Sequence, residues 1–283
     1  MTVIAMQLNK IHNIDALSGL RSLPDNAIDC IVTSPPYFQM RDYGIVDVEW
    51  GDGWSGQLGQ EPTRELFVAH LIEIFDECRR VLKPSGTLWV NLADSYHNKS
   101  LCNIPNKFAD EMIGAGWILR NEIIWHKPSC IPSGATDRFT TDYEKLFFFT
   151  KSQKYAFNQQ FEPYAKSTIK RYEYPMSGNG KNGIYKEISG APCDKMMHNN
   201  PKGRNMRAVW KIPFEGSKEG HFAMFPTKLV ETPILAGSPE DGTVLDPFMG
   251  GGTTAIVAKR TGRNYIGFEL NPEYIEIAER RVG

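Results

Sequence analysis

The residues best suited to chemistry lie in two loops, each of which follows a short apolar segment. The first loop is Ser34-Pro35-Pro36-Tyr37. Proline has no amide hydrogen, so the carbonyl groups of this loop stay outside the sheet and the backbone has little freedom. If the Ser34 hydroxyl and the Pro35 carbonyl accept the two hydrogens of a planar aromatic amine, the nitrogen lone pair can point at a methyl donor. Tyr37 would stack on the ring that carries the amine.

The second loop, residues 246–254, is rich in glycine and belongs to a strand-loop-helix-strand unit. Gly250, Gly252 and Ala255 fit the Gly-x-Gly-x-x-Gly/Ala pattern of nucleotide-binding loops. Glu269 follows Gly250 by 19 residues, close to the spacing at which an acid reaches a ribose hydroxyl pair. Glycines let a ligand touch the backbone, and the start of the next helix offers free amides to an anion. The loop therefore predicts a site for a nucleoside cofactor.

Two cofactor classes and a purely structural explanation fit this pattern alone. The glycine spacing suits a dinucleotide about as well as S-adenosylmethionine, and a tight glycine turn would have the same sequence. Asp246 favours S-adenosylmethionine, because a carboxylate just before the glycines repels a pyrophosphate but accepts hydrogen bonds from an ammonium group. Residues 221–229 open the preceding helix and are predicted to line the other side of the pocket.

The composition is that of an ordinary globular protein, with 41% apolar and 23% charged residues among 283. No stretch approaches eighteen consecutive apolar residues, and residues 1–7 lack the regions of a signal peptide. We therefore expect a cytoplasmic location and no membrane partner. The five cysteines are widely spaced, without a Cys-x-x-Cys pair or histidines at ligand spacing, so neither a metal site nor a disulfide framework is predicted.

Charge is distributed unevenly along the sequence. Residues 151–211 carry 12 Lys or Arg against 4 Asp or Glu, whereas the other residues carry 20 against 29. A net charge of +8 on one segment and −9 on the rest suits a polyanion bound by that segment, although a solvated basic loop region has the same composition. The predicted DNA contacts are Lys170, Arg171, Lys202, Arg204 and Arg207.

Alternating strand and helix patterns predict a doubly wound α/β sheet. Apolar residues at 4-3-4-3 spacing predict a helix between residues 63 and 82, stopped by residues 83–86. Regular patterns fade after Lys151 and return at Phe225. Only 31 residues follow Gly252, so most of the sheet must precede the glycine loop. Strands are predicted at 27–33, 87–93, 118–125, 145–150, 243–246 and 264–269, and later helices at 227–236, 253–261 and from 272.

Together, the two loops resemble those of the beta-class DNA amino-methyltransferases, a circularly permuted family in which the catalytic loop precedes the cofactor loop. The resemblance covers most of the sequence and implies a Rossmann-like, S-adenosylmethionine-dependent methyltransferase sheet. It implies a catalytic half at 1–150, an inserted target-recognition region at 151–211 and a cofactor-binding half at 212–283. Residues 136–144 resemble the family segment just before the target-recognition region.

The resemblance also assigns roles to individual residues. The implied catalytic residues are Ser34, Pro35, Pro36 and Tyr37. The implied cofactor-binding residues are Asp15, Phe225, Pro226, Asp246, Pro247, Phe248, Gly250, Gly252, Thr253, Thr254 and Glu269. By itself, Asp15 would be interpreted as a helix cap. The implied reaction moves a methyl group from S-adenosylmethionine to the exocyclic amino group of an extruded base in double-stranded DNA.

The sequence alone leaves open which base is methylated and which protein partners the chain has. The family uses Ser-Pro-Pro-Tyr more often on cytosine N4, which is slightly favoured over adenine N6, but both rings offer the same amine geometry. A homodimer and a separate cognate restriction endonuclease are compatible with the resemblance, and the sequence decides neither.

Three other functions fit the sequence less well. Carbon-5 cytosine methylation needs a Pro-Cys nucleophile after a strand, and Pro192-Cys193 lies in a glycine- and lysine-rich segment without one. A nicotinamide-dependent oxidoreductase would need further strand-helix units after Glu269, where we expect too little chain. A non-catalytic DNA-binding module is disfavoured because both loops keep their chemical residues.

Overall fold

The computed structural model describes residues 7–172, 200–215 and 225–283, with all their side chains except those of 170–172. Pro192-Cys193 and the glycine-rich run at 177–183 lie outside these residues. Contacts divide the chain into a main unit, Met1–Asn158 with Ala208–Gly283, and a second unit, Gln159–Arg207. The main unit thus combines the beginning and the end of the sequence.

The described helices and strands follow one another in this order. They are β1 (Lys10–Asn13), α1 (Ala16–Ser22), β2 (Ile28–Thr33), β3 (Val48–Glu49), β4 (Ser55–Gly56), α2 (Arg64–Val81), β5 (Leu82–Leu92), β6 (Tyr96–His97), β7 (Ser100–Leu101), α3 (Ile104–Gly114), β8 (Ile118–His126), β9 (Tyr143–Thr150), β10 (Phe161–Glu162), α4 (Lys166–Tyr172), β11 (Arg204–Asn205), β12 (Val209–Lys211), α5 (Thr227–Gly237), β13 (Thr243–Asp246), α6 (Thr253–Arg260), β14 (Asn264–Glu269) and α7 (Pro272–Val282).

Eight strands form the central sheet of the main unit, in the order β1-β14-β13-β2-β5-β9-β8-β12. Neighbours are parallel, except that β9 runs antiparallel to β5 and β8. From β2 the chain crosses through α2 to β5, whereas from β13 it crosses through α6 to β14 in the opposite direction. Right-handed crossovers in opposite directions place the two helices on opposite faces. The predicted doubly wound α/β sheet is confirmed.

The helix that follows residues 34–37, the predicted catalytic loop, forms where its apolar spacing predicts. Thr63 caps α2, since its hydroxyl accepts a hydrogen bond from Leu66 N at 3.2 Å. The predicted apolar face is buried in the core. The helix ends at Val81, before the residues predicted to stop it, and the chain passes directly into β5, which includes residues 83–86. An irregularity in the pairing of β2 with β5 accommodates them.

Aromatic side chains alternate across the antiparallel strand β9. Phe147 and Phe149 are fully buried on the face that also holds Phe108. On the other face, Phe148 stacks on Trp89 with ring centroids 4.0 Å apart. This alternation is expected of a strand, whose successive side chains point to opposite faces, and it shows that both faces of the sheet are covered.

Several elements of the main unit, including helix α3 and the short strands β3, β4, β6 and β7, have no counterpart among the predicted ones. Strand β1 and helix α1 precede the first predicted strand, and β12 pairs in parallel with β8 at the sheet edge. The compact second unit spans Gln159–Arg207, so the last residues of the segment 151–211 lie in the central sheet. None of the helices within the described residues is long and apolar enough to span a membrane.

Candidate active site

The two loops predicted from the sequence lie at the ends of adjacent strands. Strands β13 and β2 pair in parallel, with Leu245 opposite Ile31. The carboxyl ends of parallel strands lie at one edge of the sheet. From β2 the chain continues to β5 on one side and from β13 to β14 on the other, so the winding direction reverses between β13 and β2. Open α/β sheets bind ligands at such a reversal. The sheet order therefore brings the catalytic loop and the glycine loop together.

Asp246 joins the two loops from inside the protein. Its Oδ1 accepts hydrogen bonds from Thr33 Oγ1 at 2.6 Å and Phe248 N at 3.0 Å, and its Oδ2 accepts one from Thr254 Oγ1 at 2.7 Å. Burial raises the pKa of Asp246 to about 6, and the hydrogen bonds from the two threonines oppose the rise. This carboxyl group is 1% exposed and satisfied by the protein, so its geometry indicates a role in positioning the loops.

An open cleft borders both loops. From the predicted site it is lined by Asp15, Ser34, Pro36, Phe225, Pro247, Phe248, Gly250, Thr253 and Glu269. The residues of the predicted set that do not line it are Pro35, Tyr37, Pro226, Asp246, Gly252 and Thr254. Asp15 has both features expected of it, because it borders the cleft and also caps α1 by accepting a hydrogen bond from Ser18 N at 2.8 Å.

Glu269 and Gly250 shape the part of the cleft next to the glycine loop. Glu269 Oε2 accepts a hydrogen bond from Gly250 N, and Oε1 accepts one from Asn271 N, both at 2.8 Å. Burial raises the pKa of Glu269, against the effect of these amides. Gly250 has a φ of 50°, and a Cβ there would meet no atom closer than Phe248 O at 3.9 Å. The loop thus exposes its backbone to a ligand.

Gly252 serves a different purpose from the one expected. Its φ is 81°, and a Cβ at this position would lie 2.8 Å from the Cβ of Ala278 in α7. Hydrogen in place of a side chain allows the loop to pack closely on that helix. The ligand-approach role stays a prediction for Gly250, which lines the cleft, whereas Gly252 does not line it and is required by internal packing.

A hydrogen-bond cluster lies behind the catalytic loop. Asn91 Nδ2 donates to Tyr37 Oη at 2.7 Å and to Glu144 Oε2 at 2.6 Å. Tyr37 Oη lies 2.8 Å from Glu144 Oε2 and 3.1 Å from Ser34 Oγ. Lys127 Nζ pairs with Glu144 Oε1 at 2.7 Å. Burial, followed by the charge of Glu144, raises the pKa of Tyr37 well above its usual value, so the phenol keeps its proton.

The chemistry of these groups fixes the direction of each hydrogen bond. An amide nitrogen only donates and a carboxylate only accepts. Tyr37 therefore accepts from Asn91 and donates to Glu144, which leaves one lone pair to accept from Ser34. The Ser34 hydroxyl hydrogen is thus directed at Tyr37, and the Ser34 oxygen keeps its lone pairs for a donor in the cleft. This arrangement fits the acceptor role of Ser34, which stays a prediction.

Sequence reasoning missed the segment after the catalytic loop. Arg41, Tyr43, Ile45, Trp50, Gln57 and Leu58 also line the cleft. This wall is held by the buried His70, whose ring stacks on Trp50 at 4.0 Å and whose Nδ1 lies 2.9 Å from Glu61 Oε1. The aromatic and glycine content of the segment was a weak signal, because it lacks regular periodicity.

The predicted DNA contacts lie in the second unit. Arg204 and Arg207 both pair with Glu162 Oε1, with their Nε atoms at 2.8 and 2.6 Å. Lys202 Nζ lies 6.0 Å from the centre of the Phe161 ring. The side chains of Lys170 and Arg171, at the end of α4, are outside the described part of the structure. Two of the candidate cations therefore share one carboxylate.

Within the ranges 7–172, 200–215 and 225–283, no three or more His, Cys, Asp or Glu side chains are grouped to hold a metal ion. Over the same ranges the cysteines are free thiols, and burial raises the pKa of Cys30 to about 12.

The fold and the cleft define an α/β protein of the nucleotide-binding type, in which the glycine loop and the loop at residues 34–37 border one cleft. Residues 28–280 match the family model of the N6/N4 DNA methylases. The chain belongs to this family. Membership argues against the nicotinamide-dependent oxidoreductase considered above, and it confirms the resemblance to the DNA amino-methyltransferases.

Individual relatives agree with the family assignment. The chain is 35% identical to the type II methyltransferase M.Cfr9I of Citrobacter freundii, over 95% of this chain and 85% of that protein. It is 32% identical to M.SmaI of Serratia marcescens, over 95% and 88%.

Solved structures share the fold. A cytosine-N4-specific PvuII DNA methyltransferase superposes with a TM-score of 0.68 at 21% identity, over 99% of this chain and 88% of that one. A Thermus thermophilus protein described as a DNA modification methylase, solved with S-adenosyl-L-methionine, gives 0.63 at 26% identity, over 96% and 92%.

Proposed function

We propose that this protein transfers a methyl group from S-adenosylmethionine to the exocyclic amino group of a base in double-stranded DNA. The observation that carries the proposal is the single cleft that borders Ser34 and Pro36 on one side and Gly250 and Glu269 on the other. An amine acceptor and a nucleoside site in one cleft are what a direct methyl transfer requires.

The cofactor-binding role belongs to the glycine-loop side of the cleft. S-adenosylmethionine, when bound, supplies an electrophilic methyl group on sulfur. The accessible backbone of Gly250 and the half-buried carboxylate of Glu269 fit a nucleoside, and Phe225 and Phe248 add apolar surface. The relative solved with S-adenosyl-L-methionine supports this assignment. Asp246 acts by holding the loop, through its bonds to Thr33 and Thr254.

The target amine is held on the catalytic-loop side. Ser34 offers an oxygen whose own hydrogen is directed elsewhere. The proposed second acceptor is the carbonyl of Pro35, which lies between two residues that line the cleft, Ser34 and Pro36, but does not line it itself. Together they draw the nitrogen towards a tetrahedral shape, which makes its lone pair available. Cytosine N4 is the proposed target because of the Ser-Pro-Pro-Tyr sequence, and adenine N6 is the alternative.

Target recognition is proposed for the basic segment at 151–211, whose compact part is the unit Gln159–Arg207. Phosphate contacts by its lysines and arginines would supply salt-dependent affinity. The type II names of the relatives support a role in restriction and modification, with a cognate endonuclease as a separate protein. A cytoplasmic location and a homodimer stay predictions.

The test is to incubate the protein with mixed-sequence duplex DNA and methyl-labelled S-adenosylmethionine. The DNA is then digested to nucleosides, and the methylated nucleoside is identified by mass spectrometry. We expect N4-methylcytosine, with N6-methyladenine as the alternative outcome, and none from Ser34→Ala. 5-Methylcytosine would contradict the amine mechanism. DNA binding without any methylation would instead support the non-catalytic module.

A further inference from the structure

The cluster behind the catalytic loop forms a hydrogen-bond relay that ends on a carboxylate. Methylation of an amino group replaces an N–H bond with an N–C bond, so one proton must leave the nitrogen. Of the relay residues, Ser34 borders the cleft, and its hydroxyl leads through Tyr37 to Glu144. We propose that Glu144 takes up the proton of the target amine through Tyr37 and Ser34. The inference rests on the proposed function.

Every link has the direction that the transfer needs. The methyl carbon–sulfur bond breaks with both electrons left on sulfur, while the nitrogen lone pair forms the new N–C bond. The nitrogen proton passes to Ser34 Oγ, the Ser34 proton to Tyr37 Oη, and the Tyr37 proton to Glu144 Oε2. Both hydroxyl groups are neutral before and after, and the carboxylate alone gains a proton. The two links span 3.1 and 2.8 Å.

Glu144 is the member of this cluster able to keep the proton. Asn91 is an amide with no basic site, and Lys127 is already a cation. Tyr37 stays a neutral phenol because of its buried surroundings. The Glu144 side chain is 12% exposed, so it can return the proton to solvent after turnover. Glu144 thus acts through Tyr37 and Ser34 rather than on the base itself.

The structure offers a matched control on the same pair of strands. Glu122 of β8 pairs with Lys145 of β9 at 3.0 Å, and the hydrogen bonds that link Ser34, Tyr37 and Glu144 do not involve this ion pair. Glu122→Gln therefore removes a carboxylate from this hairpin without touching the relay. Glu144→Gln keeps the size and one acceptor oxygen of the side chain but removes its ability to take a proton.

The experiment is a single-turnover methylation assay with enzyme in excess over DNA and with binding of S-adenosylmethionine and DNA measured separately. We expect Glu144→Gln to slow methyl transfer by roughly 100-fold or more, the range of general-base effects, while both affinities stay near wild type. Glu122→Gln should match the wild type in rate and in both affinities.

Tyr37→Phe cuts the relay at its middle link and keeps the proposal testable if Glu144→Gln does not fold. We expect the same loss of rate with both affinities retained, and no additional loss in the double variant. A Glu144→Gln or Tyr37→Phe rate within about threefold of wild type would overturn the relay. Wild-type enzyme that methylates no amino group would overturn the proposed function instead, so the two failures are distinguishable.

Discussion

Thr33 Oγ1 donates a hydrogen bond to Asp246 Oδ1 at 2.6 Å, and both groups are buried. Thr33 is the last residue of β2 and Asp246 is the last residue of β13. The bond therefore ties the start of the catalytic loop to the start of the glycine loop, across 213 positions of sequence. A shift of either loop would strain this hydrogen bond. The bond therefore helps to fix the distance between the two loops that border the cleft.

Asp246→Asn should remove a pH dependence of stability. Burial raises the pKa of Asp246 from 3.8 to about 6, so the folded protein holds this proton more tightly than the unfolded chain does. The stabilisation is present below about pH 4 and is lost as pH rises through about 6, with a maximum of about 3 kcal/mol.

Urea unfolding between pH 4 and 7 measures this effect as the difference between wild type and variant. The difference should shrink as pH rises. Asp241→Asn, at an exposed position just before β13, is the control and should leave the wild-type pH profile unchanged. Parallel profiles for wild type and Asp246→Asn would contradict the prediction.

Gly252→Ala should destabilise the fold by more than Gly262→Ala. Both glycines have positive φ values, 81° and 73°, so both substitutions strain the backbone. At Gly252 the new Cβ would also lie 2.8 Å from Ala278, whereas at Gly262 nothing lies within 4 Å. Overpacking adds about 1 to 3 kcal/mol, measurable by thermal or urea unfolding. Equal losses at the two positions would show that packing on α7 contributes nothing.

Glu269→Gln should weaken S-adenosylmethionine binding about tenfold and leave DNA affinity largely intact. The amide keeps one acceptor oxygen but loses the charge and offers a donor where Gly250 N and Asn271 N already donate. Titration calorimetry with the cofactor gives the change in Kd. Unchanged or tighter cofactor binding, or binding of a nicotinamide dinucleotide, would count against this role.

Substitutions of Tyr37 should separate stacking from hydrogen bonding. Tyr37→Ala should cost about 1 to 3 kcal/mol of stacking on the target base, whereas Phe or Trp should cost less. Tyr37→Phe keeps the ring and loses the bonds to Ser34, Asn91 and Glu144, so its binding loss should be small. Binding to DNA that carries a fluorescent base analogue at the target measures extrusion. Equal losses for all three substitutions would remove stacking as the explanation.

Each lost phosphate contact in the basic segment should lower the slope of log affinity against log salt by about one unit. Alanine variants at Lys170, Arg171, Lys202, Arg204 and Arg207 test this, and a lost base contact should instead relax sequence choice at one position. Glu162→Gln should have the opposite effect, because its carboxylate pairs with Arg204 and Arg207.

Lys228→Ala is the control for that series, since Lys228 is an exposed cation on α5 of the main unit. Binding to cognate and scrambled duplexes across a salt series gives both slope and discrimination. If no variant of the basic segment alters either quantity, recognition must lie elsewhere, for instance in the loop after Tyr37.

The sequence by itself determined the elements whose signals are local. The apolar spacing before Leu82 and the β-branched run before Thr33 depend on neighbours a few positions away, and the structure has a helix and a strand there. The two loop motifs were recognisable for the same reason, because proline and glycine act on the backbone at their own positions. Their order along the chain was sufficient to identify the family.

Only the tertiary structure decided which groups surround the catalytic loop. Glu144 of β9 and Tyr37 of the loop after β2 are 107 positions apart, and Asn91 of β5 donates a hydrogen bond to each. Their contact depends on strand order, which crossovers set over long distances and which no local pattern records. Two further features depend on residues that are distant in sequence. Asp246 accepts a hydrogen bond from Thr33 of another strand, and Gly252 packs against Ala278 of α7. Residue types thus predicted which loops carry the reactive groups, whereas the order of strands in the sheet decided which side chains contact those groups.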